Sequence, residues 1–341
     1  MLTARDIAGV LSHYDLGTPV EFSPAAHGYV NETAFVRTTR GRYVVRRNHR
    51  RFTEPLLRYR HALIAWLRER DAPVPPLIPT RDGGTLLQLN QRYYEVQAFV
   101  EGEAHDPCRP QQLASVGATL ARYHRAVIGF PPPPAAAAPR YSPWGVDALA
   151  TQLIERDVMG ELHEPLTWYS QRSAQLRAAL SDAVYAALPH LVIHGDIHSD
   201  NLRFRGDQVA ALLDFDQASW DARLVDLADA LVAFASEPRR EQTWGVFSGP
   251  LDLERALLLL GAYAAEAPLT GQEAAALPPM IEVLWLQGEL GRVRSTPEGA
   301  PEYHASVLDQ GRALSAWMAA NGPALAEQWA EAGAGEPLCL G

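Results

Sequence analysis

The chain has 341 residues, enough for two lobes that each bury a hydrophobic core. Hydrophobic residues make up 47% and charged residues 21%, as in an ordinary globular protein. The net charge of −10 argues against nucleic acid or an anionic membrane as the main partner. The two cysteines, Cys108 and Cys339, are far apart and match no ligand spacing, so we expect neither a disulfide framework nor a cysteine-based zinc site.

The N-terminal sequence MLTARDIAGV has no long apolar run, which argues against a signal peptide. The most apolar stretch, residues 256–265, is too short to span a bilayer. We therefore expect a cytoplasmic protein without a membrane partner. All 30 of the Lys and Arg residues are arginine, which excludes every mechanism that needs a lysine ammonium group.

The first hundred residues are rich in predicted strands. Two β-branched and aromatic runs, at 34–38 and 42–47, are separated by TRG and predict a hairpin. Residues 53–70 predict a helix, with Thr53 as its N-cap and apolar side chains at helical spacing. The proline-rich segment PVPPLIPT at 73–80 predicts an extended connector. Further strands are predicted at 85–89 and 92–99.

After Ala104 the hydrophobic period becomes helical. The first of these helices is predicted at 111–127, and the low-complexity segment at 131–139 predicts an exposed loop. The other helices are predicted at 145–187, 223–236, 252–266, 272–294 and 303–320. The pattern indicates an α+β protein with a small β-rich N-lobe at 1–100, containing one main helix, and a larger, mostly helical C-lobe at 101–341.

One polar stretch, VIHGDIHSDN, interrupts the helical part of the chain. It is followed by two short apolar strands, at 202–204 and 209–213, around a polar turn. Such a hairpin brings Asp214 at its far end beside Asn201 at its start, so that both converge with Asp196. Hard oxygen ligands of this kind suit Mg²⁺, which usually takes one or two protein ligands plus phosphate oxygens and water.

The spacing is that of a kinase catalytic loop and metal loop: His-x-Asp, an asparagine five residues later, a short hairpin, and Asp-Phe. HGDIHSDN with LLDFD resembles the aminoglycoside phosphotransferase and choline kinase superfamily. HYDLG, GYVNET, GRYVVRR, HALIAWL and PVPPLIPT are similar to the type II homoserine kinases within it. The resemblance implies a bilobal protein-kinase-like fold. It also implies transfer of the ATP γ-phosphoryl group, with Mg²⁺, to a hydroxyl of homoserine or another small amino alcohol.

The resemblance assigns roles to individual residues of the C-lobe. Asp196 matches the catalytic base, and Asn201 and Asp214 match the magnesium ligands. His194 matches the histidine that supports the catalytic loop, and Asp226 matches a helix aspartate that braces the loop.

The resemblance also implies which N-lobe residues bind the nucleotide. Gln97, Ala98 and Val100 match the hinge whose backbone binds adenine. The turn GYVNET, with Gly28 and Asn31, matches the segment that covers the phosphates, although it has a single glycine.

A kinase-like fold normally has a lysine on its third strand, paired with a helix glutamate, to hold the phosphates. In this lysine-free chain Arg46 occupies that position, and its guanidinium can bind phosphate through two nitrogens. Arg60 and His61 stand where the helix glutamate is expected, so we predict that Glu54, nearer the helix start, pairs with Arg46. Arg47 should face the other way because strand side chains alternate.

Several alternatives stay open at this point. Aminoglycosides, sugars and choline-like compounds are alternative acceptors, and the altered lysine–glutamate pair leaves open a degenerate nucleotide-binding regulatory protein. GDIH also resembles the GDxH opening of metallophosphatases, but no GNH motif follows. His198 either approaches phosphate or substrate or is a structural histidine, and Asp216 either reaches a second metal ion or is a solvated acid. The oligomeric state stays open.

Overall fold

The structure is a computed structural model, and it describes residues 1–25, 30–134, 141–157, 160–237, 249–296 and 301–332. Within these residues the first part of the chain is built around a β-sheet and the second part is largely helical. The α+β, bilobal fold class is therefore confirmed. None of the described helices is both long and apolar enough to cross a membrane.

The N-terminal part contains a five-stranded antiparallel sheet in the order β1-β2-β3-β5-β4. Its strands are β1 Pro19–Pro24, β2 Glu32–Thr38, β3 Gly41–Arg47, β4 Leu87–Leu89 and β5 Arg92–Ala98. Its helices are α1 Ala4–Leu11 and α2 Glu54–Arg68. The predicted hairpin at 34–38 and 42–47 and the predicted helix at 53–70 are confirmed. The connector at 73–80 runs beside β5, where the Ile78 amide donates to Val96 O at 2.8 Å.

Helix α1 and strand β1 were not predicted from the sequence. Strand β1 contains two prolines, which an edge strand tolerates because half of its backbone groups face away from the sheet. Helix α1 has only eight residues, but Thr3 and Asp6 form a capping box that begins it. Short elements of this kind carry too few periods for a hydrophobic pattern to reveal them.

The C-terminal part consists of helices and two short pairs of strands. Its helices are α3 Pro110–Ala126, α4 Pro143–Arg156, α5 His163–Ala179, α6 Asp182–Ala187, α7 Arg223–Ala235, α8 Leu253–Ala264, α9 Gly271–Ser295 and α10 Pro301–Ala332. Strand β6 His190–Ile193 pairs with β9 Ser219–Ala222, and β7 Leu202–Arg205 pairs with β8 Gln208–Leu212. The segment predicted to be helical at 145–187 contains three helices, which are separated near Gly160, with φ of 73°, and at the N-cap Ser181.

Two hydrophobic clusters hold the described structure together. The smaller one joins α1 to one face of the sheet, where Val36, Val45 and Val96 are buried. The larger one fills the helical part, and it includes Leu63 and Leu67 of α2. Because α2 packs into the helical core and also contacts β5 of the sheet, it fixes the sheet relative to the helical part of the chain.

A second link between the two parts follows β5. Glu103 exchanges two backbone hydrogen bonds with Phe204 of β7, at 2.7 and 2.9 Å. Gly102 lies so close to β7 that a Cβ atom there would be 2.9 Å from the Arg203 Cβ and 3.0 Å from Phe204 O. A glycine is therefore required where the connecting segment crosses the hairpin.

The contact between α3 and α8 gives a test of this packing. A Cβ atom on Gly117 would overlap the carbonyl oxygen of Leu259, whereas a Cβ on Gly261 would meet nothing within 4 Å. We expect Gly117→Ala to lower the free energy of unfolding by about 1–3 kcal/mol, the usual effect of overpacking. Gly261→Ala should raise it by roughly 0.5–1 kcal/mol, because alanine restricts the unfolded chain. Urea denaturation of both variants measures these changes, and equal effects would contradict the described helix contact.

Candidate active site

The stretch HGDIHSDN forms a loop that leaves the buried strand β6. Gly195 has φ of 75°, and a Cβ atom there would lie 2.6 Å from Gln217 O. The glycine between His194 and Asp196 therefore meets both a conformational and a steric demand. This tight turn presents Asp196 at the start of the loop.

Asp226 on α7 holds this loop by its backbone. Its carboxylate accepts hydrogen bonds from the backbone amides of His194 at 2.8 Å and Gly195 at 2.7 Å. His124 Nε2 lies 3.1 Å from the same carboxylate, and His124 Nδ1 lies 2.8 Å from the Tyr263 hydroxyl. Burial alone would raise the pKa of Asp226, but the hydrogen bond and charge of His124 lower it. Asp226 therefore holds the backbone at the start of this loop.

Two further residues shape the loop. Asp229, one turn after Asp226, accepts a hydrogen bond from the Ile197 amide at 2.9 Å, a contact that was not predicted. His194 contacts Leu213 O through Nε2 at 2.8 Å, while its Nδ1 accepts from the Asp196 amide at 3.2 Å. The buried imidazole thus connects the catalytic loop to the segment that carries Asp214.

The hairpin of β7 and β8 brings the predicted oxygen side chains together. The Leu213 amide donates to Asn201 O at 2.8 Å, which places Asp214 next to Asn201. Asn201 Nδ2 donates to Asp196 Oδ2 at 3.1 Å and to Asp196 O at 2.9 Å. Asp214 has φ of 60°, and its side chain is 40% exposed. Asn201 therefore contacts Asp196 directly, and the hairpin end places Asp214 beside Asn201. The region between this hairpin end and strand β3 is called the cleft below.

These side chains fit a magnesium site that is completed by phosphate oxygens. Asn201 uses its nitrogen for Asp196, and no hydrogen bond among the described residues uses its Oδ1. Asp214 contributes a partly exposed carboxylate. The described residues contain no group of three or more histidine, cysteine, aspartate or glutamate side chains that could hold a metal ion by themselves. A donor set of one amide and one carboxylate suits Mg²⁺, which retains water and substrate oxygens.

Arg46 on β3 points into the same cleft, and Arg47 points the other way. Arg46 Nη2 lies 3.3 Å from Asp214 Oδ1 and 3.2 Å from Asp216 Oδ2. Arg47 instead pairs with Glu32. Burial alone would lower the pKa of Arg46, but the charges of the acids around it raise the pKa above the ordinary arginine value. Arg46 therefore stays protonated and carries a permanent positive charge in the cleft.

The predicted pairing of Glu54 with Arg46 is wrong. Glu54 lies at the exposed start of α2, where it contacts Arg58 at 2.7 Å and the Tyr93 hydroxyl at 3.1 Å. The glutamate near Arg46 is Glu95, which faces it across the β3–β5 ladder with Oε1 3.5 Å from Nη1. The acid thus comes from the neighbouring strand, because α2 carries a histidine and an arginine where an acid was expected.

Those two residues of α2 complete the network. His61 Nε2 lies 2.9 Å from Glu95 Oε2, and Arg60 Nη1 lies 3.1 Å from Asp216 Oδ1. Burial alone would raise the pKa of Glu95, but His61 and Arg46 lower it to about 2. Asp216 is 11% exposed, so it is not a solvated acid; burial raises its pKa and the arginines oppose the rise. The expected lysine–glutamate pair is thus replaced by two arginines and several acids.

The structure describes four of the remaining predicted nucleotide-binding residues: Asn31, Gln97, Ala98 and Val100. The side chain of Asn31 donates to Asp216 through Nδ2 and accepts from the His49 amide through Oδ1 at 2.9 Å. Ala98 donates its amide to Pro76 O at 3.0 Å, while the Gln97 side chain donates to Glu95. No hydrogen bond among the described residues engages the Val100 amide. Gly28 lies outside the described residues.

His198 belongs to the hydrogen-bonded structure of the loop. Its Nδ1 accepts from the Asp200 amide at 3.3 Å, and its Nε2 lies 3.6 Å from Asp196 Oδ2. Burial alone would lower the pKa of His198, but Asp196 raises it. The histidine is therefore a neighbour of the predicted base as well as a part of the loop.

Comparisons with known proteins agree with this geometry. The model of the phosphotransferase enzyme family matches residues 21–260. The homoserine kinase of Sinorhizobium fredii is 30% identical over 302 residues, which cover 88% of this chain and 87% of that protein. Seven further homoserine kinases are 27–30% identical.

Solved structures show the same fold. An aminoglycoside phosphotransferase from Alicyclobacillus acidocaldarius has a TM-score of 0.68 at 16% identity and covers 97% of both chains. An amicoumacin kinase, solved with AMP-PNP and Ca²⁺, has a TM-score of 0.67 at 13% identity, with 96% of this chain and 94% of that chain covered.

The exchange of Glu54 for Glu95 can be tested by stability. We expect Glu95→Gln to lower the free energy of unfolding at neutral pH by about 1–3 kcal/mol, because Arg46 and His61 lose a buried charged partner. Glu54→Gln, the matched change at the exposed position, should leave stability almost unchanged. Because the pKa of Glu95 is lowered in the fold, its contribution is complete above the unfolded pKa of about 4.3 and is lost as the pH falls towards 2. Urea denaturation at several pH values measures both effects. A larger loss of stability in Glu54→Gln than in Glu95→Gln would contradict the pairing of Arg46 with Glu95 and favour its pairing with Glu54.

Proposed function

The chain belongs to the phosphotransferase enzyme family, and on this premise we propose that it is a homoserine kinase that uses ATP and Mg²⁺. It is an enzyme that transfers a phosphoryl group to a hydroxyl of a small molecule, with ATP as the expected donor. The observation that supports homoserine is the near full-length similarity to homoserine kinases at about 30% identity. The roles of individual residues and of Mg²⁺ are part of the proposal.

In the proposed mechanism Asp196 accepts the proton of the acceptor hydroxyl while the hydroxyl oxygen attacks the γ-phosphorus in line. The bond from the γ-phosphorus to the β–γ bridging oxygen breaks, and ADP leaves with its electron pair. The side chain suits this task because Asn201 holds it and the turn at Gly195 fixes its backbone. Phosphoryl transfer needs little covalent chemistry from the protein, so most of the rate enhancement comes from positioning and charge stabilisation. The two aspartates that brace the loop serve that positioning.

The nucleotide is proposed to lie between the sheet and the catalytic loop. Residues 1–100 would form the nucleotide-covering lobe, and residues 101–341 would carry the catalytic loop and the acceptor site. The Val100 amide, which no described residue engages, would donate a hydrogen bond to a ring nitrogen of adenine. Arg46 would bind the phosphates, and Asn31 would lie beside them.

Asn201 and Asp214 would hold Mg²⁺, which neutralises phosphate charge when it is bound. Asn201 can offer its Oδ1 without losing the hydrogen bonds of its nitrogen to Asp196. Asp214 must exchange its contact with Arg46 for the metal ion. The chain's own part in this step is to bring an amide and a carboxylate together at the end of one hairpin.

The acceptor and the base can be tested together. We expect phosphate transfer from ATP to homoserine to exceed transfer to 1-amino-2-propanol, choline, a hexose and an aminoglycoside at equal concentrations. Asp196→Asn should lower turnover by roughly 100-fold or more, the scale of general-base catalysis, while nucleotide affinity is kept. Coupled ADP release and direct detection of the phosphorylated product measure both.

Asp200→Asn is the matched control, since it makes the same change in the same loop at a position without a proposed role. Near-normal turnover in Asp196→Asn would refute the base, and a strong preference for another acceptor would refute homoserine. Absence of transfer to every acceptor, in a folded protein that binds ATP, would favour a regulatory nucleotide-binding protein.

The metal ligands give a separate prediction. Asp214→Ala should weaken Mg-ATP binding by roughly 10–100-fold, a range typical of disturbed metal sites, while adenosine affinity stays nearly constant. Asp207→Ala, at the turn of the same hairpin, is the control, and calorimetric titration measures the affinities. An equal loss of Mg-ATP and adenosine binding would indicate a damaged fold and would contradict the metal role.

A further inference from the structure

The carboxylate of Asp216 is bound by two arginines, but their contacts are unequal. Arg60 on α2 places Nη1 3.1 Å from Asp216 Oδ1, and its Nη2 donates to the backbone oxygen of the same residue. The Arg60 guanidinium also lies over the Phe52 ring, 4.1 Å from its centroid. Arg60 is thus held by two oxygens of Asp216, one of the side chain and one of the backbone, and by the face of the Phe52 ring.

Arg46 is held less closely. A single nitrogen, Nη2, is shared between Asp214 at 3.3 Å and Asp216 at 3.2 Å, and Nη1 lies 3.5 Å from Glu95. The contact of Arg60 with the same carboxylate, at 3.1 Å, is of similar length, so the two arginines differ in the number of their contacts with Asp216. Several acids surround Arg46, but each is contacted by only one of its nitrogens.

The charges show why both arginines are needed. Glu95, Asp214 and Asp216 contribute three carboxylates to the cleft, and Glu95 has His61 as a second partner. In the proposed function Asp214 turns to a metal ion and Arg46 turns to the phosphates. Asp216 would then be a buried carboxylate without a cationic partner, which is strongly unfavourable, unless Arg60 stays with it.

We propose that Arg60 is a positioning residue that keeps Asp216 neutralised, so that Arg46 is free to bind the nucleotide phosphates. This inference rests on the proposed function of the cleft. Helix α2 then contributes a cation that neutralises an acid beside the strand arginine, where kinases usually contribute an acid that pairs with a strand lysine.

Removal of Arg60 tests the inference. In Arg60→Met, Asp216 keeps Arg46 as its arginine partner and binds it more tightly. We expect KM for Mg-ATP to rise about tenfold or more, the scale of a charge-assisted hydrogen bond, with a smaller change in kcat and no change in adenosine affinity. ADP affinity in EDTA should fall in parallel, and this measurement requires neither metal nor turnover.

The decisive variant is Arg60→Met combined with Asp216→Asn. Without the carboxylate that retains Arg46, KM for Mg-ATP and ADP affinity in EDTA should return towards the wild-type values. A structural role for Arg60 would not produce such a recovery. If Asp216 were itself a metal ligand, the second change would make Mg-ATP binding worse, and the inference would be overturned.

Arg58→Met is the matched control, since Arg58 lies on the outward face of the same helix and pairs with Glu54. It should change neither value. Should Arg60→Met fail to fold, Arg60→Lys keeps the charge but loses the two-nitrogen contact, and we expect a smaller rise in KM that Asp216→Asn again relieves.

Two results separate this inference from the proposed function. If Arg46→Ala leaves Mg-ATP affinity unchanged, the phosphate role of Arg46 and the inference fall together. If Arg46→Ala weakens Mg-ATP binding but the Arg60 variants do not, or if the double variant shows no recovery, only the inference falls.

Discussion

The catalytic loop depends on one buried carboxylate, that of Asp226. It accepts hydrogen bonds from two consecutive backbone amides, His194 and Gly195, while His124 contacts it from α3. His194 and Gly195 are buried, and their backbone amides need partners inside the protein. The position of Asp196 is therefore set by α7 and α3, which belong to the helical core. Since β6 also leads into the loop from that core, the proposed base is attached to the core on both sides.

The side chains of the cleft in front of this loop are held by ion pairs, whereas the loop is held by hydrogen bonds to its backbone. The acids and arginines of the cleft are contributed by β3, β5, α2 and the end of the β7–β8 hairpin. Ion pairs that are long and shared can be exchanged for other ions at a small net cost, whereas the loop backbone cannot be rearranged without unpaired amides. A rigid base and an exchangeable cation site are what a phosphotransferase needs, because the acceptor must be positioned while the nucleotide enters and leaves.

The sequence predicted the parts of the site that are close along the chain. Asp196, Asn201 and Asp214 are connected by one loop and one hairpin, so their convergence follows from local geometry. The partner of Arg46 could not be found in this way, because Glu95 is separated from β3 by α2 and the connector, and the sequence does not fix the β3–β5 register. Glu54 has a suitable place in the sequence of α2, yet the helix turns it towards solvent and Arg58. The capping box of α1 and the Asp229 contact did leave local signals: a Thr-x-x-Asp pattern, and an acid one turn after Asp226.

The acids around Arg46 are arranged for a guanidinium and not for a lysine ammonium. A lysine ammonium is a compact point charge, and one helix glutamate can hold it, whereas a guanidinium is broad and planar and presents donors in several directions. Arg46 accordingly meets carboxylates on two sides, Glu95 from the neighbouring strand and Asp214 with Asp216 from the hairpin end. Glu95, Asp214 and Asp216 already outnumber the two arginines, and an additional acid on α2 would increase this excess of negative charge. Arg60 at the helix position instead supplies the second cation, which neutralises Asp216.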